Sequence, residues 1–128
     1  MSRPRVGGEK EPDPRNGVWN GTGACGETRF GVAVAIVVNP DNTLSAMQTY
    51  YPLPGQASNV KVQSGTLAME GTIDPSKGAL TLSLASWLFQ PGSDVALGSS
   101  GVMDVGGGGI NATYDQEGCS TLTLSRLR

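Results

Sequence analysis

The alternation of side chains over residues 28–38 is the feature that most constrains this chain. Large apolar residues occupy every second position on one face, namely Phe30, Val32, Val34, Ile36 and Val38. A period of two is the repeat of a β-strand, whose successive side chains point to opposite faces. The other face carries Arg29, Gly31, Ala33, Ala35 and Val37. Because this second face is small and nearly uncharged, we expect the strand to be covered on both sides.

Turn residues divide the rest of the body into short segments of the same kind. The chain has 19 glycines and 8 prolines, a density that favours tight turns over long helices. We predict eight strands, over residues 18–23, 28–38, 43–51, 60–73, 79–84, 95–103, 110–114 and 120–127. Residues 85–91 break the alternation and are expected to form a loop or short helical turn that caps one end of the core.

The connections between these strands decide the expected architecture. Short connections imply that sequential strands are antiparallel neighbours. An all-β meander of about eight strands closes most simply into a small barrel, which removes exposed strand edges. A two-sheet sandwich is the alternative. The sequence therefore predicts one barrel domain, residues 17–128, preceded by an extended polar arm, residues 1–16.

The arm differs from the body in its charge. Of the 9 basic and 11 acidic residues, seven lie within the first fifteen positions, and three prolines accompany them. No apolar face recurs there, so the arm is expected to contact a partner rather than the core. Its candidate contact residues are Arg3, Arg5, Lys10 and Arg15.

Cys25 and Cys119 lie near opposite ends of the body, and both adjoin glycine. Barrel closure would bring the first and last strands together and place the two cysteines within bonding distance. We therefore expect a disulfide; two buried free thiols are the alternative. No apolar secretory segment precedes Trp19. We expect either that a signal peptide was removed or that the protein leaves its cell by another route, for example in a virus particle.

A set of turn glycines and aromatic residues carries a family resemblance over residues 17–127. The motifs are Gly17-x-Trp19-x-Gly21-x-x-x-Cys25-Gly26, Gly71-Thr72-x-Asp74, Gly78-x-Leu80-x-Leu82, Trp87, Gln90-Pro91 and Gly118-Cys119. Their order resembles small β-domains found in many bacterial secreted proteins. That resemblance implies no settled activity and no catalytic residue. The meander with an early tryptophan is also similar to lipocalins and avidins, in architecture alone.

Nothing in the sequence forms a catalytic set. The chain has no histidine, the commonest general base and metal ligand. Asp41, Asp74, Asp94 and Asp115 occur in turns, where aspartate accepts backbone hydrogen bonds, and Glu70 is expected on an outward face. We predict no catalytic residue, cofactor or metal. The net charge of −2 and the lack of a concentrated basic patch also argue against nucleic acid.

The aromatic residues complete the functional prediction. Trp19, Phe30 and Trp87 are expected in the core, whereas Tyr50 and Tyr51 point to opposite faces, so that one is exposed. The predicted interface comprises the arm residues with Gly31, Ala33, Ala35, Tyr50 and Tyr51. The leading hypothesis is a structural or adhesive module, extracellular or in a virion, that binds a protein partner or self-assembles. The alternative is a soluble barrel that binds a small apolar ligand or sugar.

Overall fold

The computed structural model describes residues 13–26, 28–54, 63–92, 96–106 and 108–127. They form eight strands: β1 (Gly17–Cys25), β2 (Thr28–Val38), β3 (Thr43–Pro52), β4 (Gly65–Ile73), β5 (Ala79–Phe89), β6 (Ser99–Asp104), β7 (Gly109–Tyr114) and β8 (Cys119–Arg126). Each strand pairs antiparallel with the next, and β8 pairs with β1, so the meander closes into a barrel. The predicted all-β barrel is confirmed. Among the described residues, no helix has the length and hydrophobicity that crossing a membrane requires.

The core consists of the inward-facing residues of this barrel. Trp19 is fully buried, as are Val32 and Val34 from the alternating strand β2. Aliphatic residues from β2 to β8 fill the space between them, including Leu44, Leu67, Leu82, Met103, Ile110 and Leu122. The period of two in the sequence therefore becomes the alternation between core and surface.

Strand β5 is longer than the sequence predicts. Residues 85–89 continue the strand instead of forming a capping loop, and they pair with β4 as far as Thr66 and Phe89. The register shifts twice along this pair, which leaves Ala85 and Leu88 without a direct partner. Two inserted residues explain why the alternation breaks while the backbone remains extended. The capping loop was therefore a wrong prediction for residues 85–89.

The pairing of β1 with β8 closes the barrel, and we call it the seam. Trp19 lies opposite Arg126, and Cys25 lies opposite Cys119. The two sulfur atoms are 2.02 Å apart, at disulfide distance, which confirms the predicted pairing. Gly21 lies between these positions, where a Cβ atom would stand only 1.8 Å from the Thr123 carbonyl oxygen. The strands can therefore approach this closely only because residue 21 has no side chain.

The outer face of β2 is covered along only part of its length. The Tyr51 ring lies over Gly31, where an added Cβ atom would be 2.1 Å from the ring. Ala35 and Val37 are exposed farther along the strand. Within the described part of the chain, the expected cover of the outer face is therefore found at Gly31, where the Tyr51 ring lies, and not at Ala35 and Val37.

Candidate contact surfaces of the barrel

A row of exposed apolar side chains crosses the outside of three neighbouring strands. Ala35 on β2 pairs with Val18 on β1 and with Met47 on β3, and Val37 lies two residues farther along β2. Val37 and Met47 are 51% and 52% exposed. We call these four residues, Val18, Ala35, Val37 and Met47, the outer patch. Register aligns them, since paired residues on adjacent strands share a face.

The outer patch contains no ionisable side chain. Ser45 lies opposite Val37, and Ala68 lies opposite Met47, so the direct partners of the patch on these strands are uncharged. The exposed Glu70, which lies opposite Ser45, places one carboxylate at the edge of the patch. Leu127, whose backbone amide donates to the Val18 carbonyl at 2.8 Å, adds an exposed apolar side chain beside the patch. A partner covering this area would desolvate few polar groups. Such surfaces are favourable for contact with another protein.

The predicted interface residues beside Tyr51 are less accessible than the patch. Gly31 is buried and Ala33 is half-buried. The Tyr51 hydroxyl donates to Asn20 Oδ1 at 3.0 Å, which holds the ring against the barrel wall. Tyr51 therefore occupies the space above Gly31, and the predicted contact role of Gly31 stays a prediction. Ala35 is exposed, as an interface residue must be.

Tyr50, one of the two tyrosines of the predicted interface, is half-buried and packs against the core. It belongs to a row of aromatic rings at the end of the barrel where β2 begins. Ring centroids are 6.3 Å apart for Tyr50 and Trp87, 6.5 Å for Tyr50 and Phe30, and 6.1 Å for Phe30 and Tyr114. Tyr50 also lies over Gly65, where a Cβ atom would be 2.5 Å from its hydroxyl. Tyr50 and Tyr51 do point to opposite faces, as predicted, but it is Tyr51 that lies outside.

Tyr114 is the most deeply buried member of this row. Its hydroxyl has no hydrogen-bond partner among the described residues, and it packs where a side chain at Gly23 would otherwise lie. Burial raises the pKa of the Tyr114 hydroxyl above its ordinary value of 10.0, because the phenolate would lose its hydration. The group is therefore a neutral phenol at physiological pH.

The last residues of the arm are attached to the opposite end of the barrel. Asn16 Oδ1 accepts a hydrogen bond from the Val38 backbone amide at 2.7 Å, and the Trp19 indole donates to the Arg15 carbonyl at 3.3 Å. Arg15 forms an ion pair with Asp13 at 2.7 Å, and the hydrogen bond from Arg15 lowers the pKa of Asp13. The Arg15 guanidinium is thus engaged within the arm. Arg3, Arg5 and Lys10 lie outside the described residues.

Two of the predicted turn aspartates, Asp41 and Asp74, accept hydrogen bonds within turns, whereas Asp94 lies outside the described residues. Asp74 accepts hydrogen bonds from the Ser76 and Lys77 amides, and Asp41 accepts from the Thr43 amide and hydroxyl. These bonds lower the pKa values of both aspartates, mainly through the hydroxyls of Ser76 and Thr43. Their predicted role in turns is confirmed. Glu70 lies exposed on an outward face, also as predicted. Within the described ranges, no three metal-ligating side chains cluster.

Two shallow depressions lined by described residues lie outside the barrel wall. One, of about 580 Å³, is lined by residues of β4, β5 and β6 that include Thr72, Thr81 and Val102. The other, of about 190 Å³, lies over the Asp74–Gly78 turn and also touches Arg15. Neither adjoins the outer patch.

Sequence reasoning missed a second apolar area, at the end of β5. Leu84, Leu88 and Phe89 are all exposed, and Trp87 is half-buried beside them. The broken alternation around residue 85 was the only available sign. It indicated an irregularity, but it did not show that β5 extends past the end of its neighbour β6.

In comparisons with known proteins, no protein-family model, no curated protein and no solved structure matches the chain. The resemblance to small secreted β-domains stays a prediction. The barrel and its surfaces are therefore the basis on which a function can be assigned.

Proposed function

We propose that this protein is a non-catalytic structural or adhesive module that acts through protein–protein contacts in a larger extracellular-type assembly, such as a virus particle. The outer patch is the observation that carries the proposal. It combines exposed apolar side chains on three adjacent strands, and its four residues carry no ionisable group, while Glu70 lies at its edge. The disulfide between Cys25 and Cys119 is compatible with an extracellular protein.

The energetics of the outer patch favour a protein partner. Full burial of a valine or methionine side chain contributes about 1.5–3 kcal/mol relative to its exposed state. Val37 and Met47 are each about half exposed, so a contact that covers them gains part of that amount from each. The strands beneath are fixed by pairing on both sides, so little backbone entropy is lost when a partner binds.

A barrel that carries a small ligand is the second candidate, and one observation favours it. The Tyr114 hydroxyl is buried without a partner among the described residues, and a ligand acceptor would satisfy it. The packed aliphatic core and the row of aromatic rings above it favour a contact module instead.

Light scattering and site-specific cross-linking test the proposal. A photoreactive amino acid placed at Ala35 should form an adduct of defined mass with a partner, or with a second copy, in the native environment of the protein. The matched control is the same amino acid at Val102, an exposed position on β6 away from the outer patch. Val37→Lys should weaken the adduct about tenfold or more, while Val102→Lys should leave it unchanged.

A different set of results would contradict the proposal. The protein would be monodisperse by light scattering, Ala35 would form no adduct, and the melting temperature would rise with an added fatty acid or sugar. That combination would make the ligand-carrying barrel the better hypothesis.

A further inference from the structure

The larger depression on the barrel wall, of about 580 Å³, is crossed by a row of hydroxyl groups. Thr72, Thr81 and Ser100 line it from three adjacent strands, β4, β5 and β6. Register places them side by side, since Thr72 pairs with Thr81 and Thr81 pairs with Ser100. All three are exposed. The volume is comparable to that of known small-molecule sites, about 300–1,000 Å³.

Two apolar side chains lie next to this row of hydroxyl groups. Ala79 and Val102 pair across β5 and β6, two residues from Thr81 and Ser100 along their strands. They therefore share the outward face of the row, and both line the depression. Val102 is 49% exposed. The depression thus presents hydroxyl groups along one row and C–H groups along the next.

One carboxylate lies at the end of the depression where β4 turns into β5. Asp74 lines it, and its Oδ1 atom accepts hydrogen bonds from the Ser76 hydroxyl at 2.7 Å and from the Ser76 and Lys77 amides at 2.8 and 3.1 Å. These bonds, with the Ser76 hydroxyl first, lower the pKa of Asp74, so the group is a fixed anion at neutral pH. All three bonds fall on Oδ1, so Oδ2 is the atom that we assign to a ligand.

The lining determines which ligand chemistry fits the depression. Among its described lining residues, Asp74 is the only ionisable one and none is aromatic. An anionic ligand would be repelled by Asp74, and a flat aromatic ring would find no ring to stack on. Hydroxyl groups both donate and accept hydrogen bonds, so they match a ligand whose own groups do the same. A neutral carbohydrate meets these conditions, because it presents hydroxyl groups together with C–H groups.

We propose that this depression binds a neutral carbohydrate chain, whose hydroxyl groups contact the hydroxyl row and whose C–H groups contact Ala79 and Val102. The inference goes beyond the proposed function, because it concerns another class of ligand and another surface. The outer patch lies on β1, β2 and β3, whereas the depression lies on β4, β5 and β6. One barrel can therefore bind a protein partner and a carbohydrate at the same time.

Backbone amide chemical shifts of the isotope-labelled full chain measure this binding and locate it. The probes are maltohexaose, cellohexaose and mannohexaose, three neutral oligosaccharides, each titrated into the millimolar range because a shallow site gains little binding energy. At least one of them should shift the amides of Thr72, Thr81 and Ser100 in a saturable manner. Sorbitol at the same mass concentration is the control for general effects of a polyol on hydration, and its shifts should not saturate.

Variants along the row of hydroxyl groups provide a matched comparison. Thr81→Val and Ser100→Ala each remove one hydroxyl at an exposed site. Together they should weaken binding about tenfold or more, the loss expected for two hydrogen bonds of ordinary strength. Thr113→Val is the control, because Thr113 pairs with Ser100 in the same row but does not line the depression, and this variant should bind like the parent.

A second kind of variant fills the depression instead of removing hydrogen bonds. Val102→Lys places a long charged side chain at an exposed position of the lining. It should also weaken binding about tenfold or more, since the lysine stem occupies the place of the carbohydrate and its ammonium group approaches Asp74. Melting temperatures of all variants check that the barrel is folded in each.

Three results would overturn the proposal. These are the absence of a saturable shift with all three oligosaccharides, a saturable shift with sorbitol as well, and parent-like binding by the Thr81→Val, Ser100→Ala protein. If Tyr114→Phe abolished the binding in that last case, the carbohydrate would lie inside the barrel, as the ligand-carrying alternative requires. The first two results would leave the proposed function intact, because the Ala35 adduct tests it on a different surface. Loss of that adduct would likewise leave the carbohydrate site standing.

Discussion

Cys25 and Cys119 lie directly opposite each other across the seam, with their sulfur atoms 2.02 Å apart. They are 94 positions apart in sequence, so they connect the first strand of the barrel to the last. The same two strands are paired through their backbones from Trp19 to Gly23. The disulfide therefore joins the same two strands whose backbone pairing closes the barrel.

Removal of this cross-link should destabilise the barrel strongly. In the chain-entropy model, a loop of this length contributes about 4–5 kcal/mol, because the cross-link restricts the unfolded chain. A Cys25→Ser, Cys119→Ser variant should lose most of that amount in denaturant unfolding. Alkylation followed by mass analysis, without reduction, should find no free thiol in the native protein. Modification of both cysteines in that experiment would contradict the disulfide.

The two tryptophans should differ in their contribution to stability. Trp19 is fully buried among core residues, whereas Trp87 is half-buried at the rim. Trp19→Ala should lower the free energy of unfolding by about 3–5 kcal/mol, the range for buried aromatic residues. Trp87→Ala should lower it by clearly less, because part of its ring is already in water. Urea unfolding of both variants measures the two losses of unfolding free energy. An equal or larger loss for Trp87→Ala would show that the rim is more tightly packed than the structure indicates.

Tyr114 should make the protein less stable in alkaline solution. The folded pKa of its hydroxyl is raised, so the unfolded chain releases this proton first. Stability is unaffected below about pH 10, the unfolded value, and then falls by up to about 1.4 kcal/mol per pH unit. Tyr114→Phe should remove this dependence without loss of stability at neutral pH, because the hydroxyl has no described partner.

Tyr51→Phe is the matched control for the alkaline experiment. Its hydroxyl lies on the outer wall, where it donates to Asn20, and the variant keeps Tyr114, so the alkaline loss of stability that Tyr114 causes should remain. Denaturant unfolding of the three proteins from about pH 7 to about pH 11.5 measures the effect on both sides of the unfolded pKa. Identical slopes for the parent and Tyr114→Phe would show that Tyr114 is not the group responsible.

A side chain at Gly21 should separate the seam. The added methyl group of Gly21→Ala would stand 1.8 Å from the Thr123 carbonyl oxygen, so the β1 and β8 backbones would have to move apart. We expect a loss of at least about 1–3 kcal/mol, as for other overpacked sites. Gly106→Ala is the control, because its Cβ atom would make only an ordinary 3.6 Å contact with Asp104. Equal melting temperatures for the two variants would contradict the close approach at the seam.

The strands and their order could be predicted because they depend on local pattern. The period of two in β2 identified its buried face, and the proline and asparagine turn at residues 39–42 separated β2 from β3 as expected. Asn42 has the positive φ of 66° that such turns use. Meander closure followed from the short connections, and the disulfide followed from closure. These inferences required no knowledge of distant contacts.

The contact surfaces could be predicted only in part. Ala35 was identified because small residues on a strand face indicate that something lies close to it. Small residues can be covered by another part of the same chain, as Gly31 is by Tyr51, or they can be left exposed, as Ala35 is beside Val37. The sequence did not distinguish these two cases. The sequence also left open which of Tyr50 and Tyr51 faces the interior, because alternation along a strand defines two faces without stating which one is buried.

The sequence by itself determined the periodicity of the strands, the positions of the turns and the two residues that form the disulfide, because these are encoded over short spans or by residue type. Only the tertiary structure decided that β5 extends past β6 and that Val18, Ala35 and Met47 align on one outer row. Both depend on register between strands that are distant in sequence. Register is set by the packing of the whole closed barrel, so no single segment contains the information.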